Sequence, residues 1–283
     1  MKVAIIGAGN MGPAMALHCG RKGYHVSLFT VEKDVFEQIS KTRENKKYLP
    51  GFKLRKNISV TMDYSVALKD AKLVFVTVPS FVVDKVVKSM SSFIEKDAII
   101  VNLAKGFGRK GEFLTDIYLK NLPKKLHKNF VLMSGPAIAN EIAKGETTAM
   151  VVAGNEKTVS FVINKISEKN FILIKAKDRN AVEFGGFYKN IVALGTGMCD
   201  GLNMGDNLKA IVVTYGLKEA KELAAKIKVD AKELDSLVGL GDIYVTCSSL
   251  HSRNRRCGEL LGRGNSFSKT KCCLPDNRRS CCF

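Results

Sequence analysis

The sequence predicts an α/β protein, with an N-terminal doubly wound sheet followed by a mostly α-helical C-terminal part. Three observations predict it. Short, near-continuous apolar runs alternate with helix-compatible stretches over the first 175 residues; the apolar character on both strand faces is the mark of a parallel sheet under helices. From about Arg179 the strand-like runs stop, and apolar residues recur at helical spacing. The chain of 283 residues, 46% hydrophobic and 25% charged, is long enough for two ordinary domains and too apolar for wholesale disorder.

The strand assignments follow in order. The segments 2–6, 25–29, 58–61, 73–76, 98–102 and 130–133 are rich in Val, Ile, Leu and Phe, and 148–153 and 171–175 add two more runs at the far edge. Helical spacing then marks 182–196, 210–225 and 253–261, with 201–207 (GLNMGDN) and 238–242 (VGLGD) as turn-like punctuation. A domain boundary is placed near residue 178, giving 1–178 and 179–283.

No apolar run approaches the roughly 18 residues of a membrane span, and mean hydropathy is near zero. Residues 1–16 mimic a signal peptide, but three glycines in the supposed apolar core favour a strand and turn. A cytoplasmic protein without membrane insertion is expected. The 45 Lys and Arg against 27 Asp and Glu leave a net charge of +18, which favours anions. Lysines are scattered, and no nucleic-acid recognition motif is present, so small anions are expected as partners and nucleic acid is not. Cys19, Cys199, Cys247 and Cys257 are unpaired in spacing, as in a reduced compartment. The isolated histidines His18, His25, His127 and His251 give no ligand spacing, so no metal is expected.

The sharpest local signal is Gly7-Ala8-Gly9-Asn10-Met11-Gly12, directly after a strand and before a helical stretch. In that context Gly7 permits the turn, Gly9 lets the backbone approach a pyrophosphate and Gly12 lets the helix pack close. The free N–H groups of the helix start attract the anion. A Rossmann-like dinucleotide site is therefore expected. The acid that would hold an adenosine ribose is ambiguous: the second strand ends at Phe29-Thr30 and the nearest acid is Glu32, while a threonine at the tip with Lys33 nearby would tolerate a 2′-phosphate. Both NAD and NADP stay open.

Three further loops end predicted strands: 77–80 (TVPS), 102–106 (NLAKG) and 134–137 (SGPA). Ligands of open α/β sheets bind at such ends. Lys189 lies in an apolar helical stretch, either snorkelling or desolvated to polarise and protonate a carbonyl oxygen. Asp242 reads equally as a helix N-cap. Ser252 followed by Arg253, Arg255 and Arg256 offers charge and a helix start to a phosphate, or is a basic exposed turn.

Taken together, GAGNMG at 7–12, VP at 78–79, NLAKG at 102–106, SGPAIANE at 134–141, YKNIVALGTGMCDGL at 188–202, GLGD at 239–242 and SRNRRCGELLGRG at 252–264 resemble the bacterial-type NAD(P)-dependent glycerol-3-phosphate dehydrogenases. The resemblance covers about residues 1–266. It implies that NAD or NADP is held by Gly7, Gly9, Asn10, Met11, Gly12, Pro79, Lys105, Ala139 and Arg253. Dihydroxyacetone phosphate or glycerol 3-phosphate would meet Lys105, Gly135, Ala137, Lys189, Asn190, Asp242, Ser252, Arg253 and Asn254. Lys189 would be the general acid or base, with Asp242 holding it or a substrate hydroxyl. The resemblance further implies a homodimer and a supply of glycerol 3-phosphate for phospholipids. The rival readings are a non-catalytic dinucleotide-binding relative and another hydroxyacid dehydrogenase of the 6-phosphogluconate dehydrogenase-like group.

Departures from the family pattern are Met11 and Ala137, where an aromatic residue and Ser or Thr are usual. After Gly264 the resemblance dissolves into 265–283, with Cys272-Cys273 and Cys281-Cys282. A truncated or frame-shifted C-terminus is expected there, rather than a metal clip, leaving apolar surface of the helical domain exposed.

Overall fold

The computed structural model describes residues 1–250 and 252–268. His251 and the paired cysteines at 272–273 and 281–282 lie outside the described residues, as does the tail from 269 onward. The chain divides into two compact units: Met1–Met133 with Ala137–Lys175, and Ser134–Pro136 with the residues from Ala176 onward.

The first unit carries the strands β1 (Lys2–Ile6), β2 (His25–Phe29), β3 (Ile58–Thr61), β4 (Ala71–Val76), β5 (Ile99–Asn102), β6 (Phe130–Ser134), β7 (Thr148–Gly154) and β8 (Phe171–Lys175). They form one sheet in the order β3-β2-β1-β4-β5-β6-β7-β8. Pairing is parallel from β3 through to β6, and again between β7 and β8. All eight runs anticipated from the sequence are strands. The reason is visible in the burial: Val3, Ile5, Val74, Phe75, Val101 and Val131 are fully buried. Such strands are covered on both faces, so apolar side chains face both ways.

The helices of this unit are α1 (Met11–Arg21), α2 (Lys33–Thr42), α3 (Tyr64–Leu68), α4 (Val83–Met90), α5 (Leu114–Asn121), α6 (Ala139–Lys144) and α7 (Glu156–Ile166). Strand order reverses direction at β1, between β2 and β4; the carboxyl ends at such a switch point are where ligands bind.

His18, on α1, is fully enclosed: it is 1% exposed, bonds the Ile166 carbonyl oxygen at 2.8 Å and packs on the Phe171 ring at 4.2 Å. Burial pushes its pKa below the usual 6.5. The neutral ring is thus favoured in the fold, while the unfolded chain takes up a proton near pH 6.5. Its contribution is present above that pH and is lost as pH falls through it. The melting temperature of the wild type should therefore fall more steeply between pH 7 and 5 than that of His18→Gln; parallel curves would contradict this.

The second unit is helical: α8 (Arg179–Gly201), α9 (Gly205–Lys226), α10 (Asp242–Ser248) and α11 (Arg253–Gly262). Two expectations are corrected here. Helix α8 runs on past residue 196 to Gly201. The segment 238–242 is no plain turn: Leu237–Gly241 is a π-helical turn running straight into α10.

Candidate active site

In the first unit the site begins at the β1–α1 turn. Gly7 has φ +113°, a backbone that side chains rarely adopt, and a Cβ on Gly12 would lie 1.9 Å from the Gly7 carbonyl oxygen. The turn is pinned from the residue after β4, where Thr77 Oγ1 donates to the Gly7 carbonyl at 2.9 Å. From another side, the buried Asn45 donates through Nδ2 to the Ala8 carbonyl at 2.7 Å. A Cβ on Gly9 would meet nothing within 4 Å. Asn10 makes no side-chain cap to α1, and the first turn of α1 holds no acidic residue. Open space over Gly9, beside uncapped helix N–H groups, fits a dinucleotide pyrophosphate.

Pro79 immediately precedes a short 3-10 turn, Ser80–Val82. Lys105 is half-buried on the loop after β5. That loop is shaped by Asn102, which the sequence did not single out. Its side chain bonds both the backbone N–H and the carbonyl of Ala104 at 3.1 Å, and Tyr118 Oη donates to Asn102 Oδ1 at 3.1 Å. A buried amide satisfied from three sides fixes a loop conformation, and here it fixes the one bearing Lys105. Ala137 and Ala139, the latter opening α6, are half-buried.

In the second unit α8 presents Lys189 to α10. Lys189 is 9% exposed and Asp242 fully buried, and Lys189 Nζ lies 2.5 Å from Asp242 Oδ1. Lys189 does not snorkel, and Asp242 is not an N-cap, because the preceding Gly241 is already helical, with φ −63°. The π-helical turn sets the carboxylate's place. A Cβ on Gly239 would lie 1.9 Å from the Leu234 carbonyl oxygen, so only glycine lets that turn close. Thr246 Oγ1 donates to the Asp242 carbonyl at 2.6 Å and lies 3.5 Å from its Oδ1.

Asn190, the neighbour of Lys189, accepts through Oδ1 from Asn254 Nδ2 at 2.7 Å. Ser252 caps α11, its Oγ accepting from the Arg255 N–H at 3.2 Å. Lys189, Asn190, Asp242, Ser252, Arg253 and Asn254 therefore belong to three helices of one unit, and Gly135 falls in the same unit. The arginine cluster is divided. Arg255 forms an ion pair with Asp200 at 2.5 Å, and Lys209 bonds the other oxygen of that carboxylate at 2.9 Å. Arg253 is exposed. Arg255 is thus a strut between α8 and α11 rather than a free phosphate ligand.

The cysteines play no part in this chemistry. Cys19, Cys199, Cys247 and Cys257 are all buried. Burial pushes the Cys247 thiol up to about 11, opposed by a hydrogen bond with Thr196; it stays protonated and unreactive. Among the described residues no group of three or more His, Cys, Asp or Glu side chains is placed to hold a metal ion.

Comparison with known proteins gives the family. The family model described as the NAD-dependent glycerol-3-phosphate dehydrogenase N-terminus covers residues 2–160, and the corresponding C-terminus model covers 178–274. A glycerol-3-phosphate dehydrogenase (NAD(P)+) of Carboxydothermus hydrogenoformans is 36% identical over 274 residues, 96% of this chain and 81% of that protein. One from a Thermoanaerobacter species is 39% identical over 275 residues, 95% of this chain and 81% of the relative. The crystal structure of glycerol-3-phosphate dehydrogenase from Coxiella burnetii superposes with a TM-score of 0.92 at 31% identity, covering 97% of this chain and 84% of that one. A glycine turn fit for a dinucleotide, a buried Lys–Asp pair and two matching family models lead to one conclusion: the chain belongs to the NAD-dependent glycerol-3-phosphate dehydrogenase family of NAD(P)-dependent oxidoreductases.

Proposed function

We propose that this chain interconverts dihydroxyacetone phosphate and glycerol 3-phosphate, with Lys189 moving the proton. The observation that carries the assignment is the Lys189–Asp242 pair, a lysine 9% exposed and held at 2.5 Å by a fully buried carboxylate. Bound nicotinamide supplies the hydride to C2 of the substrate, or takes it up in the reverse direction. As C2 is reduced, negative charge grows on its oxygen; the Lys189 ammonium stabilises that charge and delivers a proton to it. In reverse, neutral Lys189 takes the hydroxyl proton. Asp242 keeps Nζ oriented throughout and holds it or a substrate hydroxyl.

Gly7, Gly9, Asn10, Met11 and Gly12 are assigned to the cofactor pyrophosphate, with Pro79, Lys105, Ala139 and Arg253 as further cofactor contacts. Ser252, Arg253 and Asn254 are assigned to the substrate phosphate, and Lys105, Gly135 and Ala137 to the rest of the substrate. The Asn190–Asn254 bond supports this division. It ties the residue beside the proton donor to the phosphate-binding turn, so the two ends of a small phosphorylated ketone are gripped by coupled side chains. Asn254→Ala should accordingly raise KM for dihydroxyacetone phosphate about tenfold or more, with a smaller change in kcat; an unchanged KM would remove Asn254 from the phosphate site.

Glycerol 3-phosphate made in this way suits phospholipid synthesis in the cytoplasm. No helix among the described residues is long and apolar enough to cross a membrane. A homodimer is also proposed, supported by the exposed apolar side chains Ile191 and Met198 on α8, Leu202 just past its end, and Ile211 and Tyr215 on α9. Light scattering of the purified protein tests it. The activity test is oxidation of NADH and NADPH at 340 nm with dihydroxyacetone phosphate. Turnover is expected. Binding of NADH without turnover would leave a dinucleotide-binding protein in place of the enzyme.

A further inference from the structure

We propose that Glu32, fixed by Lys47 and Tyr48, makes this chain select NADH over NADPH. The inference rests on the reading of the glycine turn as the cofactor site. Strand β2 runs parallel to β1, with Phe29 opposite Ile6, and the Gly7 N–H donates to the Phe29 carbonyl at 3.0 Å. The tip of β2 therefore abuts the turn that holds the pyrophosphate. In folds of this kind an acid beyond that tip meets the adenosine ribose, whose 2′-hydroxyl or 2′-phosphate distinguishes the two cofactors.

Past Phe29, the side chain of Thr30 is buried, and its Oγ1 accepts from the Glu32 N–H at 3.1 Å. This small turn sets Glu32 at the start of α2. Its carboxylate is then held from a second direction. Tyr48 Oη donates to Glu32 Oε2 at 2.7 Å, and Lys47 Nζ donates to the same oxygen at 2.8 Å. Tyr48 is 5% exposed, and its backbone N–H donates to Asn45 Oδ1 at 3.1 Å. Asn45 is the residue that donates to the Ala8 carbonyl. One short segment thus touches both the glycine turn and the acid. The carboxylate is built into the wall of the site and is not a loose surface charge.

A carboxylate accepts hydrogen bonds and donates none. It suits a ribose 2′-hydroxyl and repels a 2′-phosphate. The cations around it do not reverse that sign. Lys47 is shared between Glu32 and Asp34, at 2.8 Å from each, and its hydrogen bond to Asp34 is the chief influence holding the Asp34 carboxyl below the usual range. Lys33 extends into solvent and lies 3.8 Å from Glu37. The guanidinium of Arg43 is turned onto backbone carbonyls, among them Ile58 at 2.7 Å. Every one of these groups already faces an acceptor.

The test compares NADH and NADPH on the full chain, by cofactor fluorescence for Kd and by 340 nm turnover with dihydroxyacetone phosphate for kcat/KM. The wild type should bind NADH at least about tenfold more tightly than NADPH. Glu32→Gln, nearly isosteric, should bring the ratio towards one. Lys47→Gln removes a compensating cation from an exposed position, so it should widen the ratio. Thermal melts confirm that each variant is folded. Equal or tighter binding of NADPH by the wild type overturns the proposal, as does a ratio unmoved by Glu32→Gln. Tighter binding of NADH than of NADPH without turnover supports the preference and removes only the reaction. Folded protein that binds neither nucleotide overturns the preference and the cofactor reading together.

Discussion

Lys189→Met is expected to lower kcat by about a thousandfold or more while leaving NADH binding in place. Methionine keeps the length and apolar stem of the lysine but carries no proton and no charge. The loss must be separated from destabilisation, because Asp242 is fully buried and Lys189 is its cation. Removing one member of a buried ion pair costs about 3–5 kcal/mol, chiefly by leaving the other charge uncompensated. Lys189→Met alone should therefore melt well below the wild type. Adding Asp242→Asn removes the stranded charge, so the double variant should regain part of the lost melting temperature. It should regain none of the activity. Activity that returned with stability would make the pair structural and the proton donor some other group. Residual turnover above about a tenth of wild type in Lys189→Met would do the same.

The sheet was legible in the sequence because a strand buried on both faces has a local signature, and the eight runs each carry it. Side-chain partnerships do not have one. Lys189 and Asp242 are 53 positions apart, and nothing in either neighbourhood says that they meet. The family resemblance supplied that pairing where spacing left it open. Glu32 shows the opposite case. Its position after β2 is plain in the sequence, but its partners Lys47 and Tyr48 come from a segment 15 and 16 residues onward, and local spacing does not reveal them. Arg255 reads together with Arg253 because only Asn254 separates them in a basic run. Two positions along a helix are about half a turn, which carries them to different surroundings, the first to Asp200 and the second to solvent.

Helix α8 outran its expected end for a related reason, and the error points to a second large effect. Gly195, Gly197 and Gly201 lie near its C-terminus, and glycine in a helix interior is ordinarily unfavourable by roughly 1 kcal/mol against alanine. A run of them therefore reads as a stop. In the structure two of them are where α11 approaches. A Cβ on Gly197 would lie 1.9 Å from the Arg255 carbonyl oxygen, and one on Gly201 would lie 2.2 Å from that of Glu259. From the other side, a Cβ on Gly258 would lie 2.0 Å from the Leu194 carbonyl oxygen. The backbones are in contact, so no rotamer can relieve an added atom.

Gly197→Ala should consequently destabilise the protein by at least about 1–3 kcal/mol, the usual cost of overpacking, despite alanine's better helix propensity. Gly197→Val should do worse. Because α11 is capped by Ser252 and begins with Arg253 and Asn254, pushing it off α8 should also raise KM for the phosphorylated substrate. Gly195, two positions away, is the control. A Cβ there meets only the Val212 Cγ1 side-chain atom, at 3.1 Å, which can shift. Gly195→Ala should be neutral or stabilising by up to about 1 kcal/mol. Urea unfolding of the two alanine variants decides the matter: opposite signs two residues apart would show that α8 holds its glycines for close approach to α11, whereas equal losses would mean that they serve backbone flexibility alone.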